Sequence, residues 1–190
     1  MAHYDERLTL RAARAEYFEA NGFGADGGYA ARWVHFRIGP LPLAFPNTAA
    51  RVRAVRFHDL HHIATGYDTD LRGEYEVAAW EIGGGCRTYL AAWTLNFGAF
   101  VVGLLAEPRA LLRAFVRGRH SRNFYDRGWS EELLEQTVGE ARRALVLDRA
   151  VPAPGREDRL AFAGWGLAAG VCGIAVPIGL VWLLAMLLSS

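Results

Sequence analysis

Residues 47–85 read NTAARVRAVRFHDLHHIATGYDTDLRGEYEVAAWEIGGG, a pattern of two helices with metal-ligand residue types across their junction. Asn47 is an N-cap residue type, and residues 48–64 hold no glycine or proline before Gly66 offers a stop. The pattern predicts one helix there, a loop over 67–72, and a second helix opening near Gly73 and running to the Gly83-Gly84-Gly85 break.

Upstream, residues 5–20 carry an apolar stripe of Leu8, Ala12, Ala15 and Phe18, closed by Asn21-Gly22 as a helix would be. A glycine-rich loop follows. Residues 32–38 alternate in character, and LPLAFP after Gly39-Pro40 reads either as a partner strand or as an extended arm on the helices; the prolines favour the arm. Downstream, residues 88–106 predict an apolar helix. The uncharged run 91–106 is too short for a bilayer span and suits a central core helix. Pro108 opens a helix on which Arg109, Arg113 and Arg117 recur beside Leu112, Phe115 and Val116, suited equally to anionic lipid or to water. Ser130 then caps a single helix to about residue 145, with acids in its first turn and arginines in its last.

No charged residue occurs over 161–188. At about 1.5 Å per helical residue this run reaches roughly 42 Å against about 30 Å of hydrocarbon, enough for one span, tilted or bent near Pro177. Arg149, Arg156 and Arg159 precede the run and nothing basic follows it. A single-pass protein of a bacterial-type cytoplasmic membrane is expected, its soluble part in the cytoplasm. The expected organisation is all-α: a compact helical metal-binding domain over 1–148, a linker over 149–159 and a transmembrane anchor over 160–188. Gly166-Leu-Ala-Ala-Gly170 is a small-residue pattern that could pair two anchors in a homodimer. The opening MAHYDERLTL lacks the apolar stretch of a secretory signal. A net charge of +1 gives no general field for nucleic acid, and none is expected as a partner.

At about 100° per residue, His62 lies near 40° and Asp59 near 100° from His58, so the three fan out from one helix face. His61 falls near −60°, outside the fan, as a hydrogen-bonding neighbour or core histidine. Gly66 and Gly73 bracket a loop that can return Glu74 to the same point. Two imidazoles with carboxylate form an open ligand set for a divalent metal: zinc first, with iron or manganese as alternatives. Asp59 is either a ligand or an orienting neighbour. Arg51 lies about 20° from His58 on the same face, where it would clamp a substrate carboxylate or form a solvated salt bridge. Trp80, Trp93 and Phe97 would line a groove for an isoprenoid tail or pack as core.

The string H-D-x-x-H, eleven residues, then E, with Thr65-Gly66 after the histidines and Gly73 before the glutamate, resembles the signature of the coenzyme Q (ubiquinone) biosynthesis protein 4 family. The resemblance is sharp over residues 58–74 and diffuse over about 47–145. It implies an all-helical fold, metal ligation by His58, Asp59, His62 and Glu74, and a catalytic step on a polyprenylated hydroxybenzoate ring. That step is oxidative removal of the ring carboxylate with a hydroxyl taking its place. Implied partners are the prenylated precursor, membrane lipid and other quinone-biosynthesis enzymes. The alternative role is a non-catalytic membrane organiser that binds prenyl-quinone intermediates and those enzymes. The uncharged C-terminal run departs from the family's familiar peripheral members. A third reading, phosphohydrolase chemistry of the H…H-D…D type, would recruit His35 with Asp126 or Asp148.

Overall fold

The computed structural model describes residues 4–38 and 41–172. Among them the order is α1 (Leu10–Ala20), β1 (Trp33–Ile38), β2 (Leu41–Pro46), α2 (Ala49–Thr65), α3 (Leu71–Gly84), α4 (Leu90–Ala106) and α5 (Pro108–Arg119). A 3-10 turn at Phe124–Asp126, α6 (Glu131–Glu135), α7 (Val138–Ala144) and α8 (Arg156–Gly170) complete it. The fold is mostly helical, as expected, with one hairpin added. β1 and β2 pair antiparallel from Trp33 opposite Pro46 to Ile38 opposite Leu41, so the extended arm is corrected to a strand pair. In a two-stranded ribbon every strand is an edge strand, where proline is tolerated because its missing N–H can face outward.

α2 starts one residue later than expected, because Thr48 caps it by accepting from the Arg51 amide. Asn47 instead donates to the Gly28, Tyr29 and Ala31 carbonyls, which ties the glycine-rich loop to the start of α2. Gly66 ends the helix at φ 76°, a left-handed value that favours glycine. Asp70 caps α3 through the Gly73 amide at 2.7 Å. α3 is the most enclosed helix, with Val77, Ala79, Trp80 and Glu81 fully buried.

α3 crosses α5 closely because glycines stand at the contact. A Cβ on Gly118 would overlap the Trp80 carbonyl oxygen and lie 2.8 Å from its carbon. A Cβ on Gly83 would meet the Phe115 carbonyl. Gly118→Ala must therefore push the two helices apart, and about 3 kcal/mol of destabilisation is expected in urea unfolding, the upper part of the overpacking range. A loss below about 0.5 kcal/mol would contradict the close crossing.

Three expectations are corrected. α4 is not a central core helix: it buries only Ala92, Asn96, Phe100 and Gly103, while Val102 and Leu105 are exposed on its outer side. The helix expected over 130–145 is broken into α6 and α7, because the break bonds to the N-terminal segment: Leu10 donates to the Gln136 carbonyl and Val138 to the Leu8 carbonyl, each at 2.8 Å. Thr137 and Glu140 close a capping box at the restart. α8 opens at Arg156, inside the stretch expected as linker.

The beginning of the expected anchor is docked on the domain. Trp165 stacks on Trp93 at 4.8 Å between ring centroids, and Phe162 packs on Phe100 and Phe115. Gly166 faces Leu104 of α4, so one residue of the small-residue pattern is already covered within the chain. Among the described residues no helix is long and apolar enough to cross a membrane. The expected span from residue 173 onward lies outside them.

Arginines from two later helices hold the end of α2. Arg117 donates to the Thr65 carbonyl and Arg142 to the Ala64 carbonyl, each at 3.0 Å. Arg117 is thus a partner of the α2 terminus, while Arg109 and Arg113 are exposed.

Candidate metal centre

The last turns of α2 and the first turn of α3 bring His58, His62 and Glu74 together. His58 Nε2 and His62 Nε2 lie 3.2 Å apart. Glu74 reaches them with Oε2 at 3.4 Å from the first and Oε1 at 3.5 Å from the second. Four-coordinate bonds of about 2.0–2.1 Å put neighbouring ligand atoms about 3.3 Å apart. The histidine pair has that spacing, a different Glu74 oxygen approaches each ring at close to it, and one donor atom from each residue lies within 4.8 Å of the other two, so the three residues offer three positions of such a site and leave one open.

Proton placement supports the same conclusion. His58 Nδ1 lies 2.9 Å from Glu81 Oε1, and His62 Nδ1 lies 3.0 Å from the Tyr67 carbonyl. A carboxylate and a carbonyl only accept, so each ring carries a proton on Nδ1 and, when neutral, presents a bare Nε2 lone pair. Two lone pairs and a carboxylate then face one another, an arrangement that repels itself unless a cation or proton lies between them. Fit and charge both suit a divalent ion.

Burial opposes a charge on His58, but Glu81 and Glu74 outweigh it and raise the pKa well above the ordinary value. Burial would likewise raise Glu74, yet the adjoining His58 and His62 rings hold it well below the carboxylate range when protonated. In metal-free protein the raised His58 contributes stability that is full below about pH 6.5 and lost as pH rises through its folded value. The depressed Glu74 contributes stability present above its unfolded pKa of about 4.3 and lost as pH falls through its folded value. A metal replaces the His58 proton, so its stabilising increment should grow between pH 6 and 8.5. Melting temperatures with zinc and with chelator across that range check this; an increment that shrinks with pH would refute it.

Asp59 does not join the cluster, which corrects the four-ligand set to three. Its Oδ2 accepts a short hydrogen bond from Tyr29, and its Oδ1 has a long contact, 3.5 Å, with the Tyr17 hydroxyl. Tyr17 in turn stacks on His62 at 5.8 Å. Burial raises the Asp59 pKa, opposed by the Tyr29 hydrogen bond. His61 lies outside the fan as expected and bonds Glu81 at 2.7 Å.

A cavity of about 540 Å³ opens over His58, Asp59 and Glu74. Small residues of α2, α3 and α4 (Ala54, Ala78, Ala92, Ala99) line one side, and Trp33, Val34 and His35 of the hairpin line another. Arg51 is also in the wall. Its Nη1 donates to Asn47 Oδ1 at 2.8 Å and its guanidinium lies over the Phe45 ring, so it does not form the salt bridge considered from sequence. Among the described residues its buried Nε has no hydrogen-bond partner. Burial lowers the Arg51 pKa.

The aromatic groove is corrected. Trp80 is fully buried, donating to Ser121 Oγ at 2.9 Å and packing on His61. Trp93 and Phe97 face Trp165 of α8. α4 contributes Leu95, Asn96 and Ala99 to the cavity instead. The H…H-D…D set is not assembled: His35 reaches the cavity wall, but Asp126 pairs with Arg87, and Asp148 lines a separate cleft with Arg117 and Arg142. Sequence reading missed Glu81. The signal that could have found it is a lone acid on the buried face of α3, which demands partners.

The fold and the site define a mostly helical protein with a candidate three-ligand metal centre beside a cavity. No protein-family model, no curated protein and no solved structure matches this chain.

Proposed function

We propose that this chain is a metal-dependent enzyme of quinone biosynthesis, carrying out oxidative decarboxylation of a polyprenylated hydroxybenzoate ring at a bacterial-type cytoplasmic membrane. The observation that carries the reading is the cluster of His58, His62 and Glu74, with one donor atom of each within 4.8 Å of the others, beside the cavity. Zinc is the first choice for this donor set, with iron or manganese as alternatives. When bound, the metal supplies Lewis acidity to a carboxylate or phenolate oxygen and, if it is redox-active, a partner for dioxygen as the oxidant.

The chain's own residues bind and orient. His58 and His62 present fixed lone pairs, and Glu74 completes the cluster. Arg51 in the cavity wall offers its positive charge to a substrate carboxylate. Tyr17, held near Asp59, braces His62 from the side. The alanines beside His58 leave room for a flat ring in a cavity whose lining is mostly apolar. The exposed apolar stripe of α4, together with Leu160, Leu167 and Val171 of α8, supports contact with membrane lipid.

Deletion of the gene should cause a prenylated, still carboxylated precursor to accumulate, read by lipid extraction and mass spectrometry. Normal quinone levels without it would refute the pathway role. Complementation by Glu74→Ala with normal quinone output would assign the chain to the organiser role instead.

A further inference from the structure

We propose that Glu81 is the positioning residue of this centre and that the Phe124 backbone amide fixes its polarity through His61; the proposal rests on the metal reading above. Glu81 is completely enclosed, yet every one of its hydrogen bonds comes from a donor. Oε1 accepts from His58 Nδ1 at 2.9 Å and from His61 Nδ1 at 2.7 Å. Oε2 accepts from Asn96 Nδ2 at 2.6 Å and from the Tyr125 hydroxyl at 2.8 Å.

His61 Nε2 lies 2.9 Å from the Phe124 amide nitrogen. A backbone N–H can only donate, so this ring nitrogen is bare and the His61 proton sits on Nδ1, pointing at Glu81. The direction of the chain is thereby set from its far end: Phe124 amide to His61, His61 to Glu81, with His58 donating to the same oxygen. His58 is left with its lone pair on Nε2, facing His62 and Glu74. Hydrogen bonding of the far ring nitrogen to a carboxylate orients a ligating histidine and strengthens its donation to metal.

Charge points the same way. A carboxylate sealed among neutral donors is unfavourable unless a cation lies near. Glu74 as ligand and Glu81 one imidazole away offset the two charges of a divalent ion at the triad, while Asp59 on the cavity wall is offset by Arg51. Glu81 is thus a countercharge for the ion without touching it.

Glu81→Gln tests this. Its amide presents a donor where the carboxylate accepted, and it removes one negative charge. Zinc affinity of the folded variant should fall about 10–100-fold. The visible spectrum of the cobalt-substituted protein should change, and imidazole nitrogen NMR should show His58 leaving its single Nδ1–H form. A variant that melts lower but keeps wild-type zinc affinity and cobalt spectrum would reduce Glu81 to a packing role and overturn the proposal. Should Glu81→Gln fail to fold, the zinc-loaded wild type decides: Nδ1–H is expected at both His58 and His61, and Nε2–H at either overturns it. If the chain binds no zinc, the metal reading fails by itself, and His61 in the metal-free protein still reports the polarity set by Phe124.

Discussion

Replacing His62 by alanine should strip the chain of stoichiometric zinc. A structural zinc site gains about 10–16 kcal/mol from four ligand positions, so one ligand is worth on the order of 10²–10³-fold in affinity. Glu74→Ala should fall in the same range. Asp59→Asn should keep one zinc per chain, because the Asp59 carboxylate is spent on Tyr29 and Tyr17 and does not reach the triad. Elemental analysis of the purified proteins with competition against a zinc chelator reads all three. Equal zinc loss in Asp59→Asn would restore the four-ligand set; unchanged zinc in His62→Ala and Glu74→Ala would remove the centre altogether.

A second large effect is expected at a residue that touches no metal. A Cβ on Gly73 would collide with the Asp68 carbonyl and lie 2.7 Å from the Asp68 amide nitrogen. Backbone cannot yield as a flexible side chain does, so Gly73→Ala must displace either the loop after Gly66 or the first turn of α3. Both routes move Glu74 relative to the histidines. Overpacking should lower stability by about 1–3 kcal/mol, and zinc affinity should drop at least about tenfold, since ligand geometry tolerates displacements of only about 0.2 Å. Urea unfolding and zinc competition on one sample separate the two effects. Wild-type affinity in Gly73→Ala would show that the approach of the loop does not set the site.

What was legible in sequence was local. The helix over 48–64 was placed within a residue, and the histidine fan and the return of Glu74 followed from helical angles and two glycines. Asp59 shares that fan, but its outcome depends on Tyr17 and Tyr29, 42 and 30 residues away, which no spacing rule contains. Glu81 was missed for the same reason: its four donors come from α2, α4 and the turn at Phe124–Asp126. The long uncharged run of α4 read as core because hydropathy does not tell an enclosed helix from one with an apolar face left outside. The break between α6 and α7 was visible as T-V-G-E, a second capping box, but it was absorbed into a longer helix because its bonds to Leu8 and Leu10 span the chain.

The arginines at the end of α2 give the centre an unusual dependence on length. Every proposed ligand lies between residues 58 and 74, as compact in sequence as a zinc-finger peptide. An excised 47–85 fragment would carry all the ligands and Glu81, but not Arg117 and Arg142 on the terminal carbonyls, the Phe124 amide behind His61, or Asn96 and Tyr125 around Glu81. It would be a motif without a scaffold. The smallest autonomous unit for this chemistry is therefore nearly the whole described helical domain, and transplanting the seventeen-residue string into another protein would carry over the letters but not the geometry.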